Sequence, residues 1–283
     1  MTRAGYELPE ATVLRESEHW QIVRPPHSLT EGHVALVMRH PNHGGHLTVN
    51  MAADLIATYR IARGGLHAVL GCDGFALSFA HSWQPYGRGI GEPSADWGHR
   101  PTIHVFGRSR TERLKPIRVM ALPVHDRQAP ISPTEQAELD RQLTIAFANA
   151  DTTNSPVILH TTDPSPCDGC APEVERDQEL WRSDGVRAIR PRQPLLDANI
   201  LVMPLRHVES PGSLHAHEIV SYAERLREVR AQFARRYGAS GLSCFLNDGT
   251  RAGQETPHVH VFGRAVDEPQ NPFELLAQRL RAR

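Results

Sequence analysis

Short runs rich in β-branched and aromatic residues recur along the chain, separated by stretches holding Gly, Pro, Asn and Asp. They predict strands over 19–24, 33–38, 75–80, 102–107 and 118–123, and again over 186–190, 199–204, 242–246 and 258–262. Longer segments with apolar residues at helical spacing predict helices over 49–63, 134–149, 214–237 and 272–282. Local signals support three of these. Ser132-Pro133-Thr134-Glu135 supplies a cap and an early acid, Gly238 stops the 214–237 helix, and Pro272 suits a first helical turn. Antiparallel strands carrying one or two long helices per half make an α+β protein.

The pattern repeats. Ser17-Glu18-His19-Trp20-Gln21-Ile22-Val23-Arg24-Pro25 is matched by Ser183-Asp184-Gly185-Val186-Arg187-Ala188-Ile189-Arg190-Pro191, at an offset of 166. Apolar runs ending in Arg-His follow in both halves, at Arg39-His40 and Arg206-His207, at an offset of 167. Each half closes on Ile103-His104-Val105-Phe106-Gly107-Arg108 or Val259-His260-Val261-Phe262-Gly263-Arg264, at an offset of 156. Matches in one order with drifting offsets are what duplication followed by loop changes leaves behind. Two domains are expected, 1–150 and 151–283, arranged as an intrachain pseudo-dimer. The boundary is expected within the Pro- and Asp-rich stretch from Ala150 to Pro166.

Composition narrows the classes. The chain has 283 residues, 40% hydrophobic and 22% charged, so each half can bury a core. A net charge of -1 argues against nucleic acid as the main partner. No apolar run has the length of a membrane span, and the first residues lack a signal-peptide core, so a cytoplasmic protein is expected. Four cysteines are too few for a disulfide scaffold. Cys72 and Cys244 read as small core residues, whereas Cys167 and Cys170 form Cys-x-x-Cys in a polar stretch.

Chemistry concentrates near the C-terminus. The strand ending Phe245-Leu246-Asn247-Asp248-Gly249 leads into a polar, Gly-containing loop, and the next strand carries His258 and His260 on one face, because strand side chains repeat every two residues. Loop amides can face an anion, and imidazoles beside it can act as nucleophile, ligand or proton carrier.

These residues resemble the histidine-triad superfamily, whose site reads Asn-x-Gly, then Gly-Gln-x-x-x-His-x-His-x-His. They are closer still to the galactose-1-phosphate uridylyltransferase branch, which is itself two such domains in one chain. The matching residues are Asn247, Gly249 and Gly253-Gln254-Glu255-Thr256-Pro257-His258-Val259-His260. The resemblance implies that His260 is a nucleophile and that Asn247, Gly249, Gly253, Gln254 and Arg264 contact substrate. It also implies a structural zinc on Cys167, Cys170, His207 and His258. The implied activity is nucleotidyl transfer, or hydrolysis of a nucleotide or phosphate ester, through a covalent histidine–phosphorus intermediate. The alternative is an inactive protein that keeps the fold and zinc and binds a nucleotide or sugar phosphate. The partner expected is a small molecule, with neither nucleic acid nor membrane, in a monomer or homodimer. Alignment from Gln254 makes His260 the nucleophile; alignment from Arg264 makes it His258. The Asn-Gly loop and the zinc pattern agree with the first.

Four positions depart from the family: Phe262 for a third His or Gln, Glu255 for Ser, Ala188 for an acid and Asn199 for a histidine. The N-terminal copy lacks Cys-x-x-Cys and has Thr102 in place of the first histidine, so only His104 matches His260. A degenerate copy is expected there. A second metal or substrate site built from His33, His40, His43, His46, His99 and His104 is the sharper alternative.

Overall fold

The computed structural model describes residues 11–40, 46–81, 100–122, 126–150, 169–249, 258–265, 268 and 270–279. Five strands come from the first half: β1 (Thr12–Glu16), β2 (Trp20–Arg24), β3 (His33–Met38), β4 (Gly74–His81) and β5 (Thr102–Arg108). Five come from the second: β6 (Glu179–Ser183), β7 (Val186–Ile189), β8 (Asn199–Pro204), β9 (Gly241–Asp248) and β10 (Val259–Arg264). They form one sheet in the order β1-β2-β3-β5-β4-β9-β10-β8-β7-β6, with every neighbouring pair antiparallel. Read outward from the central β4–β9 pair, the two halves run in the same order. This is the pseudo-dimeric α+β architecture that the repeat predicts.

Helices cover both faces. α1 (Val49–Leu70), α3 (Pro133–Asn149) and α5 (Ala216–Tyr237) lie over one face and share its main core with Leu36, Val105, Val202 and Val261. α2 (Pro116–Ala121) and α6 (Pro272–Arg279) lie over the other, where Phe106, Met120, Phe245 and Phe273 pack together. A short α4 (Pro172–Gln178) precedes β6. Among the described residues no helix is long and apolar enough to cross a membrane.

Four elements differ from expectation. The 118–123 strand is instead the helix α2: Pro116, Ile117, Val119 and Met120 are the buried positions, which is helical spacing, and Pro116 opens the helix. The apolar run disguised that period as a strand. The first long helix continues past 63 to Leu70, through Gly64 and Gly65. Gly65 lies where α1 meets α3, and a Cβ there would come within 2.2 Å of the Phe147 ring. The helix stops at Gly71, whose φ of 64° only glycine adopts freely. The edge strands β1 and β6 were not foreseen, since their exposed, charged sequences carry little apolar alternation.

The Phe-Gly-Arg repeat has one structural explanation in both copies. Phe106 and Phe262 are fully buried; Phe106 packs with α2, and the Phe262 ring meets Phe273 of α6. The glycine lies on the opposite face, where a Cβ at Gly107 would meet Cys72 and one at Gly263 would meet Ala198 and Phe233. The arginine pairs with a glutamate four residues on, Arg108 with Glu112 and Arg264 with Glu268.

Candidate functional site

β10 carries His260, Phe262 and Arg264 on the face covered by α6, while Val259 and Val261 enter the main core. β9 runs beside it with His260 opposite Phe245, two positions before Asn247. Phe245 and Asn247 alternate with the core-facing Leu246 and Asp248, so Asn247 shares the face of His260. His258 immediately precedes β10, with its ring centroid 5.0 Å from that of His260. Gly249 follows β9 with a φ of 91°. The structure therefore brings together His258, His260, Asn247 and Gly249. Gly253, Gln254 and Cys167 lie outside the described residues.

His260 is partly exposed, but its Nδ1 is buried and meets no hydrogen-bond partner among the described residues. Burial, then the neighbouring His258 and the charge of Arg279, push its imidazole down to about 3. It is neutral at physiological pH, the state in which an imidazole nitrogen has a lone pair to donate. On its other side the Phe262 ring stacks at 5.9 Å with an interplanar angle of 13°.

The N-terminal copy replaces this arrangement with a buried dyad. Leu29 N–H donates to His33 Nδ1 at 3.0 Å, which assigns the His33 proton to Nε2. His33 Nε2 then donates to His104 Nδ1 at 2.9 Å, so a neutral His104 holds its own proton on Nε2. Burial, His104 and Arg24 together hold the His33 imidazole well below the usual range. At the matching place in the second half, Asn199 accepts from Leu195 N–H at 3.1 Å and donates to the Val261 carbonyl at 3.3 Å. Asparagine thus keeps the loop bond but has no ring nitrogen to offer His260.

Arg264 was expected to face substrate. Its guanidinium instead donates through Nε to both Glu268 oxygens, at 3.0 and 2.8 Å, and through Nη1 to Ser243 Oγ at 2.7 Å. Arg108 makes the same bidentate bond to Glu112. An arginine held alike in both copies pins the strand to the segment after it.

Of the expected zinc ligands, Cys170 and His207 are adjacent, with Sγ 3.6 Å from Nδ1, and both are exposed. Zinc–sulfur and zinc–nitrogen bonds at tetrahedral angles would separate the two donors by roughly 3.5 Å, so this pair fits. No group of three or more potential ligands is gathered among the described residues. Cys72 and Cys244 are buried, and burial raises both thiols, as core residues require.

One cluster was missed in sequence. Asp248, the middle residue of Asn247-Asp248-Gly249, is 1% exposed. Its Oδ2 accepts from Tyr59 Oη and, at 3.0 Å, from Ser210 Oγ, and lies 3.2 Å from Arg63 Nε. Burial outweighs Arg63 and both hydroxyl donors, and holds this carboxyl above its usual range. The available signal was an acid at a strand position whose neighbours of like parity, Leu246 and Cys244, face the core.

A sheet joined from two like halves, with a histidine strand beside an Asn-x-Gly turn in the second, defines a tandem α+β protein with one elaborated site. Residues 173–264 match the HIT domain family. That segment is similar to HIT domains. The chain is 33% identical over 84 residues to the asymmetrical bis(5'-nucleosyl)-tetraphosphatase of Schizosaccharomyces pombe, covering 30% of this chain and 46% of that protein. It is 36% identical over 69 residues to a bifunctional bis(5'-adenosyl)-triphosphatase/adenylylsulfatase of Arabidopsis thaliana, covering 24% and 38%. The match spans under half the length of either curated relative. Among solved structures, an ADP-glucose phosphorylase of Arabidopsis thaliana aligns with 88% of this chain and 74% of its own, at 8% identity and a TM-score of 0.49.

Proposed function

We propose that the protein transfers or hydrolyses a nucleotidyl group, or a related phosphate ester, through His260. The observation that carries this reading is a neutral, partly exposed imidazole on the same sheet face as the Asn247–Gly249 turn. The Nε2 lone pair attacks phosphorus while the proton stays on the buried Nδ1. The phosphorus–oxygen bond to the leaving group breaks, and its electron pair departs on that oxygen. A phosphoramidate remains on His260. An acceptor oxygen, from a phosphate or from water that releases its proton to solvent, then attacks phosphorus, and the phosphorus–nitrogen bond breaks with its electron pair returning to Nε2. Amides near Asn247, Gly249 and Gly253 stabilise the charge on the transferring group. The N-terminal copy takes no part in this chemistry, because the His33 bond leaves a neutral His104 protonated on Nε2.

Zinc belongs to the same reading as a structural ion on Cys170, His207, Cys167 and His258. When bound, it would tether the segment before α4 to the strands around the site. Metal analysis of the purified protein should find about one zinc per chain, with both zinc and thermal stability reduced in Cys170→Ser. A protein without metal at pH 7 would overturn the zinc.

Incubation with radiolabelled dinucleoside polyphosphates and nucleoside diphosphate sugars should trap an acid-labile nucleotidyl adduct that is absent in His260→Asn. One observation favours a second reading, a binding protein without chemistry: the buried Phe262 ring stacks on His260, where the family places a polar residue. Tight nucleotide binding with no turnover and no adduct would establish that reading instead.

A further inference from the structure

We propose that the N-terminal half positions the candidate site of the C-terminal half, with Tyr59 and Arg63 of α1 gripping the root of the Asn247–Gly249 turn through Asp248. The inference rests on the reading of that turn as the ligand loop.

Asn247 and Asp248 are adjacent on β9, so their side chains point to opposite faces. Asn247 faces the site; Asp248 faces α1. On the α1 side the carboxylate meets donors from two distant parts of the chain. Tyr59 and Arg63, one helical turn apart, come from the first half, and Ser210 comes from the loop after β8. Arg63 also donates through Nη1 to Ser210 Oγ at 3.0 Å, and its guanidinium lies 5.0 Å from the centroid of the Phe75 ring. Arg60, on the same helix, donates to the Gly212 carbonyl at 2.8 Å. The backbone beyond Asp248 also leans on the first half. A Cβ at Gly249 would lie 3.4 Å from the Asp73 carbonyl oxygen and 3.6 Å from Gly74 Cα.

The mirrored place in the first half lacks this device. There His81 stands where Asp248 stands, at an offset of 167, and Arg230 stands where Arg63 stands. The carboxylate anchor is confined to the half with the Asn-x-Gly turn. A purely architectural contact of the pseudo-dimer would be expected in both copies.

Tyr59, Arg63 and Asp248 are therefore positioning residues, acting on the turn and not on substrate. The test uses the full chain. Amide exchange at Asn247, Asp248 and Gly249 is followed by NMR in the wild type, Asp248→Asn, Arg63→Met and Tyr59→Phe. Thermal unfolding and calorimetric titration with AMP accompany it. Loss of a buried charge partner should speed exchange at these amides and weaken AMP each by about tenfold or more, with a smaller effect in Tyr59→Phe and partial rescue in Arg63→Lys. Arg24→Met removes the buried pair with Asp140 far from the turn. It should lower the unfolding temperature while leaving exchange at the turn as in the wild type. If Asp248→Asn and Arg63→Met fold and exchange at 247–249 is unchanged, the proposal is overturned. If they fail to fold, the Tyr59→Phe exchange decides. Failure of the wild type to bind AMP counts against the nucleotide reading alone, and exchange then decides the positioning role.

Discussion

At the residue scale the site turns on how one imidazole is surrounded. Most of the His260 ring is withdrawn from water, it faces a second histidine, and it has no carboxylate beside it in the described structure, so its proton affinity falls. The consequence for stability has a definite sign. The unfolded chain holds an ordinary histidine near 6.5, whereas the folded chain holds His260 near 3, so between these values the unfolded state binds more protons. Stability from this source is fully present above about pH 6.5 and is lost as pH falls toward 3. Denaturant titrations at pH 7.5 and pH 5 should show a smaller acid penalty in His260→Phe than in the wild type; equal penalties would exclude the effect. The histidines were legible as a pair on one strand face. That position 199 holds no histidine was legible; that the Asn199 amide turns to Leu195 and the Val261 carbonyl was not, because it depends on how the loop packs after folding.

At the element scale, local rules account for most boundaries. Ser132 and Glu135 form the reciprocal cap that the sequence announces, and Ser132→Ala should cost about 0.5–2 kcal/mol in chemical denaturation. Gly65 was less legible, because a Gly-Gly pair reads as a helix end unless a partner needs the space. Phe147 of α3 occupies that space. Gly65→Ala should therefore destabilise by about 1–3 kcal/mol through overpacking, despite the better helix propensity of alanine, and should cost less in a Phe147→Leu background. A stabilised Gly65→Ala would show that α1 and α3 can move apart freely. The helix α2 was misread for a related reason: six residues are too few to show a clear period.

At the scale of the whole molecule, β4 and β9 join two like sheets into one, and α1 meets both α3 of its own half and α5 of the other. Calorimetry should record a single cooperative transition; two resolved transitions would mean that the halves fold as separate units. The sequence by itself determined the recurrence of one pattern in two halves, the α+β class, most strands and long helices, and the histidine strand with its Asn-x-Gly turn, because these follow from local periodicity and from motifs short enough to read in place. Tertiary structure decided the rest. It turned Arg264 toward Glu268, buried His33 against His104, and set Asp248 against Tyr59 across 189 residues of chain. The first two depend on how side chains pack within each half; the third depends on the pairing of β4 with β9, which leaves no mark in either strand alone.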